Sequence, residues 1–100
     1  MKKQITVSDF IINRIAKEKV KNIFLLPGGG NMYLIDAIAK CKKVKAVPMH
    51  HEHAASIAAE SYSRISENLG VAVVTSGPGA TNAITGILGA WIESVPLIII

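Results

Sequence analysis

The sequence predicts an α/β fold in which a parallel sheet carries helices on both faces. The short segments 22-NIFLLP-27, 71-VAVVT-75 and 96-PLIII-100 have the continuous hydrophobicity of strands that are buried on both sides. Between such segments lie stretches whose apolar residues recur at helical spacing. Strands and helices that alternate in this way indicate a parallel sheet that is covered on both faces.

The first helix is predicted to begin at Thr6 or Ser8. Asp9 stands three residues after Thr6, as in a capping box, where side chains of both residues satisfy backbone N–H groups. The helical spacing continues to about Val20 and is carried by Ile11, Ile12, Ile15 and Ala16. We therefore expect one amphipathic helix before the first strand.

A strand over 22–27, a second helix and a strand from Val44 to Met49 are predicted next. The first strand ends at Pro27 and the glycines, which do not continue a strand. Asn31 is the expected N-cap of the second helix. The residues of that helix that should face the core are Leu34, Ile35, Ile38 and Ala39.

The third helix is predicted from about Glu52 to Ser66, because the break 68-NLG-70 follows it. Its small side chains imply that a neighbouring element packs closely against it. The residues expected to be buried are Ala54, Ala55, Ile57, Ala58, Ala59 and Tyr62.

The last part of the sequence predicts a strand over 71–75, a glycine turn over 76–82 and a fourth helix from Ala83 to Ser94. Gly86 and Gly89 lower the helix propensity of that segment, so a close contact with another helix should compensate. A final apolar strand, 96-PLIII-100, would leave an aggregation-prone edge if nothing followed it. We therefore expect this sequence to be part of a longer protein.

The composition is that of a globular protein, and a cytoplasmic location is expected. Half of the residues are hydrophobic and 18% are charged. The net charge of +4 comes from lysines at the N-terminus, including Lys2 and Lys3, and at predicted helix ends, without interleaved aromatic residues, so nucleic-acid binding is not expected. The single Cys41 excludes an intrachain disulfide. No signal peptide and no apolar run of roughly 18 residues is evident, so no membrane association is expected.

Three junctions between a predicted strand and the following helix contain polar or glycine-rich sequences: 26-LPGGGN-31, 49-MHHEHA-54 and 75-TSGPGATN-82. In open parallel sheets, ligands bind where strands end and helices begin. These junctions are therefore the candidate functional sites.

Neither glycine junction fits a common nucleotide or hydrolase motif. A dinucleotide-binding GxGxxG over 28–33 fails at Tyr33, and no GK pair is present for a P-loop. A nucleophile elbow GxSxG around Ser76 fails at Val74 and Pro78. The glycines leave two interpretations open, which are a turn and a close approach of the backbone to a ligand.

The histidine-rich junction does not form a zinc-protease motif. His51 and Glu52 begin an HExxH pattern, but its fifth position is Ala55. His50 and His53 would converge on a metal only if the backbone between them were already helical, so metal binding is not expected. A solvated helix start and a carboxylate that acts in acid/base chemistry both remain open for Glu52.

The three junctions together resemble those of thiamine-diphosphate-dependent enzymes of the acetolactate synthase type. The resemblance rests on PGGG, on His-Glu before 54-AASIAAESYSR-64, on 76-SGPGATN-82 preceded by threonine, and on 94-SVP-96. It covers about residues 5–100 and corresponds to the N-terminal pyrimidine-binding domain of these enzymes. By this resemblance, residues 1–100 form an incomplete pyrimidine domain, and the middle and diphosphate-binding domains are expected beyond residue 100.

The resemblance implies a catalytic role for Glu52. In the family, the glutamate of this His-Glu pair hydrogen-bonds N1′ of the aminopyrimidine ring and favours the tautomer that takes the proton from the thiazolium C2 carbon. The activity implied is decarboxylation of a pyruvate-like 2-oxo acid followed by carboligation. We expect burial against alanines to raise the pKa of Glu52.

The resemblance also implies cofactors, further site residues and an assembly. Gly28, Gly29 and Gly30 should approach the cofactor and substrate, while Pro78 and Asn82 line the pyrimidine pocket. The implied cofactors are thiamine diphosphate and Mg²⁺, whose ligands are expected outside this segment, with FAD as an optional addition. A homodimer or homotetramer with the site at a subunit interface is implied. The fourth helix and its Trp91 are candidates for that interface, and Trp91 is equally a candidate core residue.

The sequence departs from the family pattern near the predicted site. Such enzymes usually have Gln at the position of His53, often have Tyr at Leu26, and commonly have Arg at His50. A decarboxylase or a two-carbon transferase with another acceptor is therefore an alternative. A non-catalytic binding or regulatory domain that keeps the fold is an alternative of another class.

Overall fold

Four short strands form the sheet within residues 4–100, which are the residues that the computed structural model describes. The strands are β1 (Asn22–Leu25), β2 (Lys45–Pro48), β3 (Gly70–Val73) and β4 (Leu97–Ile99). They pair in parallel in the order β2-β1-β3-β4. Residues 1–3 lie outside the described residues, and with them Lys2, Lys3 and the start of the segment that was considered as a signal peptide.

Helices connect these strands, as the alternating pattern predicts. Over the described part of the chain they are α1 (Val7–Lys17), α2 (Met32–Lys40), α3 (Glu52–Ser66), α4 (Pro78–Asn82) and α5 (Ile84–Ile92). A turn of 3-10 helix, Gly29–Asn31, precedes α2. None of the helices in residues 4–100 is both long and apolar enough to span a bilayer.

Both faces of the sheet are covered because successive side chains of a strand point to opposite sides. On one face, the buried side chains of β1 and β3 pack against α1 and α2; they are Ile23, Leu25, Val71 and Val73. On the other face, Ala72 packs against α3 together with Phe24, Leu97 and Ile99. The predicted parallel sheet with helices on both faces is confirmed.

The first helix has the predicted capping box but ends sooner than predicted. The backbone N–H of Asp9 donates to Thr6 Oγ1 at 3.0 Å, and the Asp9 carboxylate accepts from the Thr6 backbone N–H. The helix ends at Lys17 instead of about Val20, because Lys19 adopts a left-handed conformation with φ 65°. Capping was thus readable from the sequence, whereas the turn at Lys19 was not.

The interior of α3 is partly different from the prediction. Ala55 and Ala59 are fully buried, as expected, but Ala54 and Ile57 are exposed. Ser56 and Ser63 are buried instead. The Ser56 hydroxyl donates a hydrogen bond to the His53 carbonyl, and the Ser63 hydroxyl donates one to the Asn68 carbonyl. A buried serine that bonds to the backbone satisfies its own polar atom, so it can replace alanine in a tightly packed position.

The predicted turn over 76–82 is mostly helical. Gly77 has φ 70°, and Pro78 then occupies the first turn of the short helix α4, where the missing N–H of proline is tolerated. The longer predicted helix, Ala83 to Ser94, corresponds to α5 and ends near Ser94, which has φ 54°. The sequence 78-PGATN-82 was therefore wrongly assigned to a turn.

One face of α5 is apolar and uncovered. Trp91 is 82% exposed, so the interpretation of this residue as part of the core is wrong. The large apolar side chains of α5 that share this exposure are Ile84, Ile87, Leu88 and Ile92. The opposite side of the helix packs against α3 through small residues, Gly86 and Ala90, which are buried.

We predict that Gly86→Ala destabilises the protein by about 1–3 kcal/mol, because a new methyl group would overpack a filled contact. The added Cβ would lie 2.3 Å from Ser56 Oγ and 2.7 Å from the Ser56 carbonyl carbon. Urea denaturation would measure the change in the free energy of unfolding.

Gly89→Ala is the matched control in the same helix. Its Cβ would meet the Glu60 carboxylate only at 3.8 Å, and alanine favours a helix over glycine by about 1 kcal/mol. This variant should therefore be neutral or stabilising. Equal destabilisation by the two substitutions would contradict the close contact between α3 and α5.

Candidate functional site

The candidate site lies at the carboxyl edge of the sheet, between the central strands β1 and β3. The chain leaves β1 through α2 toward β2 on one side, and leaves β3 through α4 and α5 toward β4 on the other. The connections that follow β1 and β3 therefore diverge and leave a crevice between them. Such a topological switch point is where open α/β sheets bind ligands.

Thr75 connects the two loops at this crevice. The backbone N–H of Gly30 donates to Thr75 Oγ1 at 3.0 Å. A Cβ at Gly28 would lie 2.6 Å from Thr75 Cβ and Cγ2, and one at Gly30 would lie 2.8 Å from Thr75 Oγ1. Two of the three glycines in the predicted loop are thus required by contacts within the protein.

Gly29 differs from its two neighbours. A Cβ at this position would meet nothing within 4 Å, and the residue is exposed. No contact within the described residues therefore requires glycine at this position. The approach of the three glycines to a cofactor stays a prediction.

Asn31 closes the glycine loop instead of capping α2 with its side chain. It occupies the N-cap position, but its side chain makes no capping hydrogen bond. Its Oδ1 accepts from the Gly28 N–H at 2.8 Å, and its Nδ2 donates to the Leu26 carbonyl at 3.0 Å. The side chain is buried, so the predicted cap is corrected to a buried brace of the loop.

Glu52 and Asn82 are brought together from positions 30 residues apart. Glu52 is the first residue of α3 and is only 7% exposed, and its Oε2 accepts from Asn82 Nδ2 at 3.1 Å. A Cβ at Gly79 would lie 3.3 Å from Glu52 Oε1 and 2.7 Å from Thr75 Cγ2. The short helix α4 therefore places its backbone and Asn82 against the carboxylate.

Pro78 has a more peripheral position. It is exposed at the start of α4, directly before the buried Gly79. The sequence analysis did not single out Gly79 or Thr75, although both belong to the junction 75-TSGPGATN-82. Thr75 could have been noticed because it is a polar residue directly after an apolar strand. Its contacts with Gly28 and Gly30 could not, because these glycines lie in the loop after β1.

The pKa of Glu52 is lowered, and the expectation of a raised pKa is wrong. Its own backbone N–H at the start of α3 has the largest effect, and the hydrogen bond from Asn82 follows. Burial opposes both, and the charge of His51 adds a smaller lowering. Hydrogen bonds to the ionised carboxylate thus outweigh its loss of hydration.

The histidines have unequal roles in the structure. His51 is the N-cap of α3, and its Nδ1 accepts from the His53 backbone N–H at 3.1 Å. His50 and His53 are exposed. Within residues 4–100, no cluster of three or more His, Cys, Asp or Glu side chains has an arrangement that could hold a metal ion.

Comparison with known proteins gives consistent matches. Residues 5–100 match a family model described as thiamine pyrophosphate enzyme, N-terminal TPP binding domain. The chain is 40% identical over 98 residues to the acetolactate synthase large subunit of Haemophilus influenzae, and 40% identical over 99 residues to that of Lactococcus lactis. It is 44% identical over 93 residues to that of Cyanidium caldarium.

These alignments cover 98%, 99% and 90% of this chain, in the same order. They cover 17%, 17% and 16% of the relatives. The chain therefore spans only about a sixth of the length of the curated relatives that it matches.

We predict unequal stability effects for two adjacent substitutions in the glycine loop. Gly28→Ala should destabilise the protein by about 1–3 kcal/mol, because its Cβ would overlap the Thr75 side chain at 2.6 Å. Gly29→Ala should stay within about 0.5 kcal/mol of the parent, since its Cβ would point into open space. Urea denaturation of both variants provides the comparison, and a large effect of Gly29→Ala would contradict the assigned geometry.

We also predict that Asn82→Ala raises the pKa of Glu52, because the hydrogen bond that favours the ionised carboxylate is lost. A carboxyl group with a lowered folded-state pKa stabilises the fold above its unfolded pKa, and this contribution is lost as the pH falls through the folded pKa. The stability difference between parent and variant should therefore be larger at neutral pH and shrink on acidification.

An NMR titration of the Glu52 carboxyl carbon, together with unfolding free energies across the acid range, would measure both effects. Asn13→Ala, on the exposed side of α1, is the control and should leave the Glu52 titration unchanged. An unshifted Glu52 pKa in Asn82→Ala would show that the amide has no part in setting it.

Proposed function

This chain belongs to the thiamine pyrophosphate enzymes through their N-terminal TPP binding domain, and we propose that it supplies the pyrimidine-binding half of an acetolactate synthase-like active site. The activity proposed for the whole enzyme is decarboxylation of a pyruvate-like 2-oxo acid with carboligation. The names of the relatives support this reaction class, and their greater length is consistent with further domains beyond residue 100.

The observation that carries the proposal is the nearly buried Glu52 carboxylate, which Asn82 holds at the switch point of the sheet. A nearly buried carboxylate at the amino end of a helix, next to the loops of a topological switch point, is an arrangement typical of a functional site. Its lowered pKa keeps it ionised at neutral pH. The ionised Glu52 carboxylate can thus act as a hydrogen-bond acceptor for a ligand at this edge of the sheet.

The residues at the crevice fit the aminopyrimidine ring of thiamine diphosphate. A flat heterocycle with ring nitrogens needs a hydrogen-bonding carboxyl group and neighbours that let it approach closely. Glu52 provides the first, and Gly29, whose missing side chain leaves open space, allows the second. We propose that Pro78 and Asn82 line the same pocket, and that Gly28 and Gly30 shape it from behind through Thr75.

Thiamine diphosphate, when bound, supplies the carbon nucleophile and the electron sink for decarboxylation and carboligation. The proposed role of this chain is to position the aminopyrimidine ring and the proton on its N1′ atom. Because the Glu52 carboxyl is ionised, it would accept a hydrogen bond from N1′, and the proton of that bond would lie on the ring nitrogen. Asn82 holds the carboxylate through Oε2, and the Gly79 backbone packs beside Oε1.

The remaining parts of the proposal concern groups outside these residues. Mg²⁺ and the diphosphate would be held by other domains, FAD is an optional addition, and the enzyme is proposed to be cytoplasmic. A homodimer or homotetramer is proposed, with the site between subunits. The exposed apolar face of α5, including Trp91, supports such an assembly, because apolar patches of this kind commonly mark interfaces.

We predict that Glu52→Gln in the complete enzyme lowers kcat by about 10²–10⁴-fold, which is the usual contribution of a positioned proton-transfer group. Glutamine keeps the size of the side chain and one acceptor oxygen for Asn82, but it cannot carry the negative charge. Thermal unfolding should show an intact fold, and calorimetry should measure thiamine diphosphate binding with Mg²⁺ present.

Glu60→Gln, in the same helix, is the matched control, because the Glu60 carboxylate pairs with Arg64 one turn along α3, so this change should leave turnover unchanged. Near-parental turnover of Glu52→Gln would reject the catalytic role of Glu52. Product analysis with pyruvate separates the reaction classes: acetolactate supports carboligation, acetaldehyde supports a simple decarboxylase, and no thiamine diphosphate binding by the complete parent enzyme supports a non-catalytic domain.

A further inference from the structure

We propose that Thr75 is a positioning residue whose side chain fixes the glycine loop after β1 and the start of α4 relative to each other, and so sets the ligand-facing surface beside Glu52. This inference rests on the proposed function for its ligand, but its structural core concerns only residues of this chain. Neither the family match nor the sequence motifs assign a role to this side chain.

Thr75 joins two loops that are far apart in sequence. Its Oγ1 accepts from the Gly30 N–H at 3.0 Å, a contact that spans 45 residues. Because Gly30 is exposed, this hydrogen bond holds its amide against the β3 side of the crevice, where water would otherwise compete for it. The position of the loop therefore depends on a specific acceptor.

Three glycines surround the Thr75 side chain. Cβ atoms at Gly28, Gly30 and Gly79 would approach atoms of Thr75 to 2.6, 2.8 and 2.7 Å. These distances are too short for any side chain, so the backbones pack directly on the threonine. The methyl group Cγ2 provides the contacts to Gly28 and Gly79, whereas Oγ1 provides the contact to Gly30.

The contacts of Thr75 extend to the candidate ligand site. Gly29, the open residue of the loop, lies between two residues that both rest on Thr75. Gly79 lies between Thr75 and the Oε1 atom of Glu52. Thr75 therefore contacts both the glycine loop, which contains Gly29, and the backbone of Gly79 next to the Glu52 carboxylate.

Two substitutions separate the two halves of this side chain. Thr75→Val keeps the shape and the methyl contacts but removes the acceptor for Gly30. Thr75→Ser keeps the acceptor and removes Cγ2. If the hydrogen bond positions the loop, the valine variant should be impaired toward the ligand and the serine variant should retain most of the function.

In the complete enzyme, we expect Thr75→Val to raise the Kd and KM for thiamine diphosphate about 3- to 10-fold, the effect of one lost hydrogen bond. The kcat at saturating cofactor should change much less, and Thr75→Ser should stay within about 2-fold of the parent Kd on the same grounds. Calorimetry and steady-state kinetics measure these values. A role in folding alone would lower the thermal midpoint without this split between KM and kcat.

Amide hydrogen exchange provides a readout that needs no ligand. The Gly30 amide should exchange at least about 3-fold faster in Thr75→Val than in the parent or in Thr75→Ser, because only valine removes its acceptor. Unchanged Gly30 exchange together with unchanged cofactor affinity would overturn the proposal. If the parent enzyme binds no thiamine diphosphate, the proposed function fails, while the exchange result still decides whether Thr75 positions the loop.

Discussion

The pairing of β1 with β3 is the constraint on which the rest of the structure depends. These strands form the centre of the sheet, and the chain leaves them in opposite directions. The glycine loop after β1 and the start of α4 after β3 are consequently forced side by side. Backbones can come this close only where side chains are missing, which explains why glycines face Thr75 from both loops. The crevice is thus a consequence of topology, and its residues determine what it can bind.

Much of the fold could be predicted from local patterns, because hydrophobic periodicity and caps act within a few residues. The bounds of α3 and the capping box of α1 are of this kind. The helical conformation of 78-PGATN-82 was missed, since glycine and proline there resemble a turn until Gly77 takes its positive φ. Ser56 was missed because its burial depends on Gly86 in a helix 30 residues later.

The candidate site was predictable as a set of residues but not as a geometry. Motif order singled out Glu52 and Asn82, and the structure brings the two into contact. The direction of the Glu52 pKa shift was wrong, because the alanines nearby suggested burial, whereas the amide and backbone N–H that outweigh it depend on tertiary placement. In PGGG, three identical residues have different roles, and only the position of Thr75 distinguishes them.

The division of labour around the crevice explains how such a site can be both rigid and accessible. Asn31 braces the loop from inside, and Thr75 holds it from the opposite strand, so Gly29 is exposed without being loose. On the other side, the start of α3 and Asn82 hold Glu52 in its ionised state. A rigid surface that presents one charged acceptor binds a ligand without a large ordering cost.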